Sequence, residues 1–243
     1  MLAATARAED RHFWFRGLRR NARRWLTEAL GGRRARCIVD CGAGTGRNLD
    51  WLNELGWAVG VERSPTGLSA GRARGRRLVR GTVTRLPFAD ATVDVTTSFD
   101  VLYCLDDTSE HEAIREMWRV LRPGGVTLVN AAALDILRGS HSALTHEVRR
   151  YTPARLSARL LEAGFDIARL SYTNMATFPI ALAVRWSERA TGRADEASEA
   201  DLRVPPAPVN TTLDAALAIE GAILRVVNLP IGSSLLCLAR KRS

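Results

Sequence analysis

Apolar and β-branched runs alternate along most of the chain with segments whose apolar positions recur every three or four residues. The runs at 37–40, 58–62, 77–81, 93–99, 126–131 and 167–172 read as strands, the third being the weakest. Between them, 48–55 reads as a helix that ends before Gly56, and Ser64-Pro65 opens a second that reaches about residue 74. The segment 108–121 places Ile114, Met117, Trp118 and Leu121 on one helical face, and Pro123-Gly124-Gly125 is expected to stop it. A further helix spans 153–163 and ends at Gly164.

This alternation predicts a doubly wound, Rossmann-like α/β fold, with a mostly parallel seven-stranded sheet and helices on both faces. The seventh strand, 234–239, follows a long interruption: an apolar helix at 178–186, a polar Pro/Ala/Glu loop at 191–208, and an amphipathic helix at 213–227. The expected organisation is an N-terminal helical and aromatic lid segment (1–36), a core (37–175), a helical insertion (176–232) and a last core strand (233–243).

Composition changes this picture little. Apolar residues make up 46% of the 243, enough for a sizeable core. The net charge of +9 comes almost wholly from arginine, with Lys241 the single lysine, so it is a poor argument for nucleic acid. One cluster stands out: Arg16, Arg19, Arg20, Arg23 and Arg24 recur at helical spacing, reading either as a solvated face or as a contact for an anionic partner. The four cysteines are scattered without Cys-x-x-Cys or histidine spacing, which predicts reduced thiols, a cytoplasmic setting and no metal. No leader-like or membrane-spanning run is visible.

The chemistry concentrates in "IVDCGAGTGRN", residues 38–48. A glycine-rich turn after the first strand lets the backbone approach a ligand at the sheet's C-terminal edge. Dinucleotide sites space their glycines as Gly-x-Gly-x-x-Gly, whereas Gly42, Gly44 and Gly46 are tighter by one residue. Asp40 beside the turn would repel a pyrophosphate and attract a cation. S-adenosylmethionine (SAM), with sulfonium and ammonium groups and no phosphate, matches that sign. Glu62, at the end of the second strand, is placed to accept from both ribose hydroxyls.

With these residues the chain resembles the class I SAM-dependent methyltransferases. The matching stretches are "VDCGAGTG", "VGVERS", "LPFADATVDV", "FDVLYCLDD" and "VLRPGGVTLV". "HFWFRGLRR", "HEVRRYTPARL" and "LPIGSSLLCLARK" are similar to a bacterial small-molecule, type 11-like branch of that family. The resemblance implies that Gly42, Ala43, Gly44 and Gly46 line the methionine moiety and that Asp40 meets its ammonium group. It implies further that Glu62 holds the ribose, Arg63, Ser64, Thr82 and Val83 flank the adenine, and Phe99 and Asp100 lie beside the methyl. Many relatives carry Asp where Thr82 stands, and Glu-His where this chain has Tyr103-Cys104, so no obvious acid–base pair follows the fourth strand.

The sulfonium already activates its methyl, so the protein has to place an acceptor lone pair in line and exclude water. A base is needed only for an acceptor that must lose a proton. His146, His12 and Tyr103 are the catalytic candidates, each histidine weighed against a structural role. Trp14, Phe15, Arg149, Arg150, Tyr151 and Asn174 are candidates for holding the acceptor; the aromatic run 13–15 reads as a lid or a staple for the first helix. The arginine pair would meet an acidic substrate group or a salt bridge to the N-terminal segment. The expectation is a SAM-dependent methyltransferase acting on an oxygen or nitrogen of a small metabolite, releasing S-adenosylhomocysteine, as monomer or homodimer. The alternatives are an RNA or DNA methyltransferase (disfavoured by the lack of a base-reading tetrad), a lipid-acceptor enzyme in peripheral contact with a membrane, and a non-catalytic SAM-binding module. A nicotinamide dehydrogenase is disfavoured by the glycine spacing and Asp40.

Overall fold

The computed structural model describes residues 2–145, 147–192 and 202–242. Its sheet has the order β3-β2-β1-β4-β5-β7-β6. The strands are β1 (Ala35–Cys41), β2 (Gly56–Glu62), β3 (Leu78–Arg80), β4 (Val93–Phe99), β5 (Leu121–Ala132), β6 (Phe165–Thr173) and β7 (Ser234–Lys241). The pairs β1–β2, β1–β4, β2–β3 and β4–β5 are parallel, while β7 runs antiparallel to β5 and β6. Strand order reverses between β1 and β4, so the carboxyl ends of those two strands open a crevice.

The helices are α1 (Leu2–Ala8), α2 (Phe13–Leu30), α3 (Leu49–Leu55), α4 (Pro65–Arg72), α5 (Asp107–Val120), α6 (Ser140–Thr145), α7 (Pro153–Glu162), α8 (Phe178–Ala190) and α9 (Ala207–Ile223). Several starts carry side-chain caps. Ser64 accepts from Gly67 N before Pro65, Asp106 accepts from Ser109 N, and Thr152 accepts from Arg155 N before Pro153. One core layer lies between the sheet and α5 and α7, holding Ile114, Met117, Leu156, Leu160 and Tyr151. The other lies beneath α2, α3 and α4, holding Trp25, Leu26, Leu49, Leu52 and Leu68.

The architecture matches the expected one, with differences of detail. The Pro123-Gly124-Gly125 turn lies inside β5 rather than between helix and strand. α5 ends at Val120, pairing with β4 starts at Leu121, and the register then jumps to Val126, the extra residues bulging where Gly124 takes φ +74°. α9 begins at Ala207, inside the polar stretch expected as loop, and ends at Ile223; residues 193–201 of that stretch lie outside the described residues. α1 and α6 were not anticipated.

α9 docks on α2 rather than standing apart. Gly17 faces Leu217, where an added Cβ would lie 2.8 Å from Cδ1, so any larger residue would require the leucine to shift. Arg16 and Arg20 pair with Asp214, and Arg24 donates to the Gly221 carbonyl. Arg23 pairs with Glu54 of α3. The arginine cluster is therefore partly spent on internal contacts, a third outcome beside the two its spacing suggested. No helix among the described residues is long and apolar enough to cross a membrane.

Candidate cofactor and acceptor site

β1 delivers the glycine turn to the crevice. Gly42, Gly44 and Gly46 take φ values of +79°, +57° and +73°, a region costly for side chains. The Gly42 and Ala43 amides both donate to the Val61 carbonyl, which ties the turn to the end of β2. α4 lies against it because Gly67 and Gly71 expose bare backbone; an added Cβ would sit 2.6 Å from the Gly44 oxygen or 2.5 Å from the Thr45 oxygen.

The two carboxylates flank this turn. Asp40 is buried; its Oδ1 accepts from Thr97 Oγ1 at 2.7 Å, and its Oδ2 has no hydrogen-bond partner among the described residues. Burial pushes its pKa up to about 7, and the neighbouring Glu62 charge adds to the rise while Thr97 and Asn48 oppose it. An orphaned buried carboxylate oxygen marks a place that a cation would complete. Glu62 accepts from Gly44 N through Oε2 and from Ser64 N through Oε1, each at 2.7 Å. It therefore shapes the turn, and each oxygen keeps a lone pair for a hydroxyl donor.

The opposite wall comes from the end of β4. Phe99 packs edge-on to Trp51 at 6.3 Å. Asp100 holds φ +61°, a strained value for a non-glycine, fixed by its amide donating to the Asn130 carbonyl and by Asn130 Nδ2 donating to its Oδ1 at 2.9 Å. Burial lifts the Asp100 pKa to about 7, against the bond from Asn130. Positive φ glycines, an unsatisfied carboxylate and a second acidic acceptor fit a cationic nucleoside such as SAM, and the two carboxylates would repel a pyrophosphate.

Residues 39–129 match the family described as "Methyltransferase domain". The demethylmenaquinone methyltransferase of Mycolicibacterium paratuberculosis is 41% identical over 109 residues, covering 44% of this chain and 46% of that protein. This chain thus matches about half the length of that curated relative. Among solved structures, the chain in complex with the Haloferax volcanii Trm112 methyltransferase activator is 20% identical with a TM-score of 0.61, covering 100% of this chain and 98% of that one. The Burkholderia thailandensis 1,6-didemethyltoxoflavin-N1-methyltransferase is 19% identical with a TM-score of 0.57, covering 93% and 78%. Over residues 39–129 the chain is thus similar to methyltransferases, and it shares its fold with the solved ones.

Around this crevice the candidates inferred from sequence divide in two. Asp40, Gly42, Ala43, Gly44, Gly46, Glu62, Phe99 and Asp100 converge on the carboxyl ends of β1, β2 and β4. Arg63 is exposed just after β2, and Thr82 sits in a tight turn, its Oγ1 3.0 Å from Thr84 Oγ1, with Val83 against the core.

The acceptor-side candidates do not converge in this way. His12 is the N-cap of α2: its Nδ1 accepts from Trp14 N at 3.2 Å, its ring stacks on Phe13, and burial lowers its pKa to about 4. In that arrangement the basic nitrogen serves as the helix cap, the structural role weighed against the catalytic one. Trp14 and Phe15 belong to the first turn of α2, Trp14 packing into the core, which favours the staple over the lid. Arg149 pairs with Asp107 and Glu110, and Arg150 with Glu147, so the two cations are balanced by neighbours and not by the N-terminal segment. Tyr151 is fully buried and donates to Glu110, the centre of that network. Asn174 is likewise buried, at φ +63°, with its amide on Glu220 and Nδ2 on Ser234. Tyr103 is buried beside Asp100, and burial holds its hydroxyl well above the ordinary range, leaving it a neutral donor. His146 lies outside the described residues.

Sequence reasoning missed Thr97 and Asn130, the polar residues inside apolar strands that orient Asp40 and Asp100. Their polarity in otherwise Val-rich runs was the available signal. It also missed the cover that α1 supplies. Leu2 approaches Gly44, and the buried Glu9 accepts from Thr45 Oγ1 at 2.7 Å and pairs with Arg74.

Proposed function

We propose that this methyltransferase moves a methyl group from SAM to an oxygen or nitrogen of a small-molecule acceptor. The observation that carries the reading is the unpartnered, buried Asp40 Oδ2 beside the bare glycine turn. Asp40 would hold the ammonium group, and the Gly42–Gly46 backbone would line the methionine moiety. Glu62 would accept from the ribose hydroxyls while keeping its bonds to Gly44 and Ser64. When bound, SAM supplies an activated methyl, so the chain's own task is alignment and exclusion of water.

Asp100 is the group best suited to accept a proton from the acceptor. Asn130 fixes its Oδ1, the second oxygen remains to take the proton, and a pKa near 7 suits a base working at neutral pH. The small-molecule reading is supported by the relative named for demethylmenaquinone. The test is calorimetry with SAM and S-adenosylhomocysteine, followed by a metabolite screen for S-adenosylhomocysteine release. A folded protein that binds neither nucleoside, or holds a dinucleotide more tightly, would refute it.

A further inference from the structure

Three glycines in five residues leave the turn after β1 little stiffness of its own, since each can leave its positive φ at small cost. Thr45, between the last two, is buried and carries the side chain by which the turn is gripped. Its Oγ1 donates to the Glu9 carboxylate, 2.7 Å from Oε2 and 2.9 Å from Oε1. Its carbonyl accepts from Arg76 Nη1 at 3.1 Å. Two positions further on, Arg47 pairs with Asp10. Consecutive acids of the N-terminal segment thus hold alternate residues of the loop.

Glu9 is itself fixed in place. Its amide closes the last turn of α1 on the Thr5 carbonyl, and its carboxylate lies 3.2 Å from Arg74 and 3.7 Å from Arg76. A carboxylate is costly to bury without such partners, so Glu9 is stable inside only while Thr45 and the two arginines meet it. α1, at seven residues, is too short to persist as a helix by itself. Its place depends on what it touches. Ala4 and Ala8 are buried, the helix rests on α4, and Leu2 Cδ2 lies 3.4 Å from where a Cβ on Gly44 would stand. Docking of α1 and the shape of the turn are parts of one arrangement, joined at the bond between Thr45 and Glu9.

We infer that Glu9 is a positioning residue for the nucleoside: through Thr45 it keeps the glycine turn in its binding shape, so that docking of α1 and binding at the turn strengthen each other. This role presupposes that the turn is a SAM site, but it does not require Glu9 to touch the ligand. The coupling is reciprocal. If a docked α1 raises the affinity for SAM, bound SAM raises the docked population of α1 by the same factor. A merely structural Glu9 would instead lower the melting temperature and leave the affinity of the folded protein unchanged.

Calorimetry of the full chain with SAM tests this on the wild type, Glu9→Ala, Thr45→Val and the double variant. Each single variant should bind about tenfold more weakly, and the double variant should lose no more than the more impaired single one. Thr45→Ser keeps the hydroxyl and should bind as the wild type does. Hydrogen exchange gives the reciprocal measurement: saturating SAM should slow exchange over residues 2–12 of the wild type, and should slow it less in Thr45→Val. If Glu9→Ala or Thr45→Val proves unfolded, Thr45→Ser and the wild-type exchange still decide. Three results would each overturn the role of Glu9 while leaving the SAM site standing: single variants that bind as tightly as the wild type, losses that multiply in the double variant, or exchange over 2–12 untouched by SAM. A folded wild type that binds no SAM overturns the site and this role together.

Discussion

The sharpest consequence of the site is that nucleoside affinity should fall with acid through Asp40. Its pKa stands at about 7 because the carboxylate is buried with one oxygen unpartnered. An ammonium group prefers the ionised form, so the apparent affinity follows the ionised fraction. Between about pH 7.5 and about pH 5.5 that fraction drops from ~0.76 to ~0.03, a loss of about 25-fold, or ~1.9 kcal/mol. Calorimetric titration of SAM across this range should show that slope, with protons released on binding at the acid end. Asp40→Asn should bind weakly and without the slope. Asp100 titrates near the same pH, so Asp100→Asn is the control and should keep the slope. A wild-type affinity flat with pH, or a slope surviving in Asp40→Asn, would refute the assignment.

Other expectations concern the same residues. The folded pKa of Asp40 lies above its ordinary 3.8, so the stability tied to it is full below that pH and is lost as pH rises through about 7. Asp40→Asn should accordingly raise the melting temperature at neutral pH, by up to about 4 kcal/mol of stability, and have little effect near its ordinary value. Glu62→Ala removes two backbone acceptors as well as the ribose partner; affinity should drop by on the order of 1–3 kcal/mol in calorimetry, with denaturation showing some loss of stability. Gly42→Ala forces a Cβ to 2.5 Å from Val101 Cγ2 at φ +79°, and should abolish binding; Val101→Ala added to it should restore part of the stability measured by urea titration. His12→Ala should cost about 1 kcal/mol through loss of the cap, while leaving any pH–rate profile unchanged. With the His12 pKa at about 4, its share of stability is present above the ordinary 6.5 and lost as pH falls through 4.

How much of this was legible without coordinates depends on how far apart the partners lie. The strands were readable because Val, Ile and Thr cluster in short runs between turn residues, and the cofactor side was readable because its residues fall directly after those runs. α1 was not, since Leu2–Ala8 is short and has neither cap nor amphipathic period. Arg149, Arg150 and Tyr151 looked free because what balances them is set by folding: Asp107 and Glu110 sit about 40 positions upstream on α5. The cap role of His12 was open to sequence, for a side chain able to accept a hydrogen bond just before an aromatic helical turn is a cap in waiting. Asn174 offered no such hint, because its partners Glu220 and Ser234 lie in the far half of the chain.

The place of β7 has a consequence for how the molecule is made. This strand lies inside the sheet, hydrogen-bonded to β5 on one side and β6 on the other, yet it follows both of them in the chain. During synthesis β5 therefore emerges with an open edge, β6 has no neighbour to join, and two further helices appear before the missing strand does. The sheet can be completed only by insertion, once residues up to 241 have left the ribosome. Until then the nascent protein carries two sticky borders, which makes its unfinished form the state most exposed to misassembly.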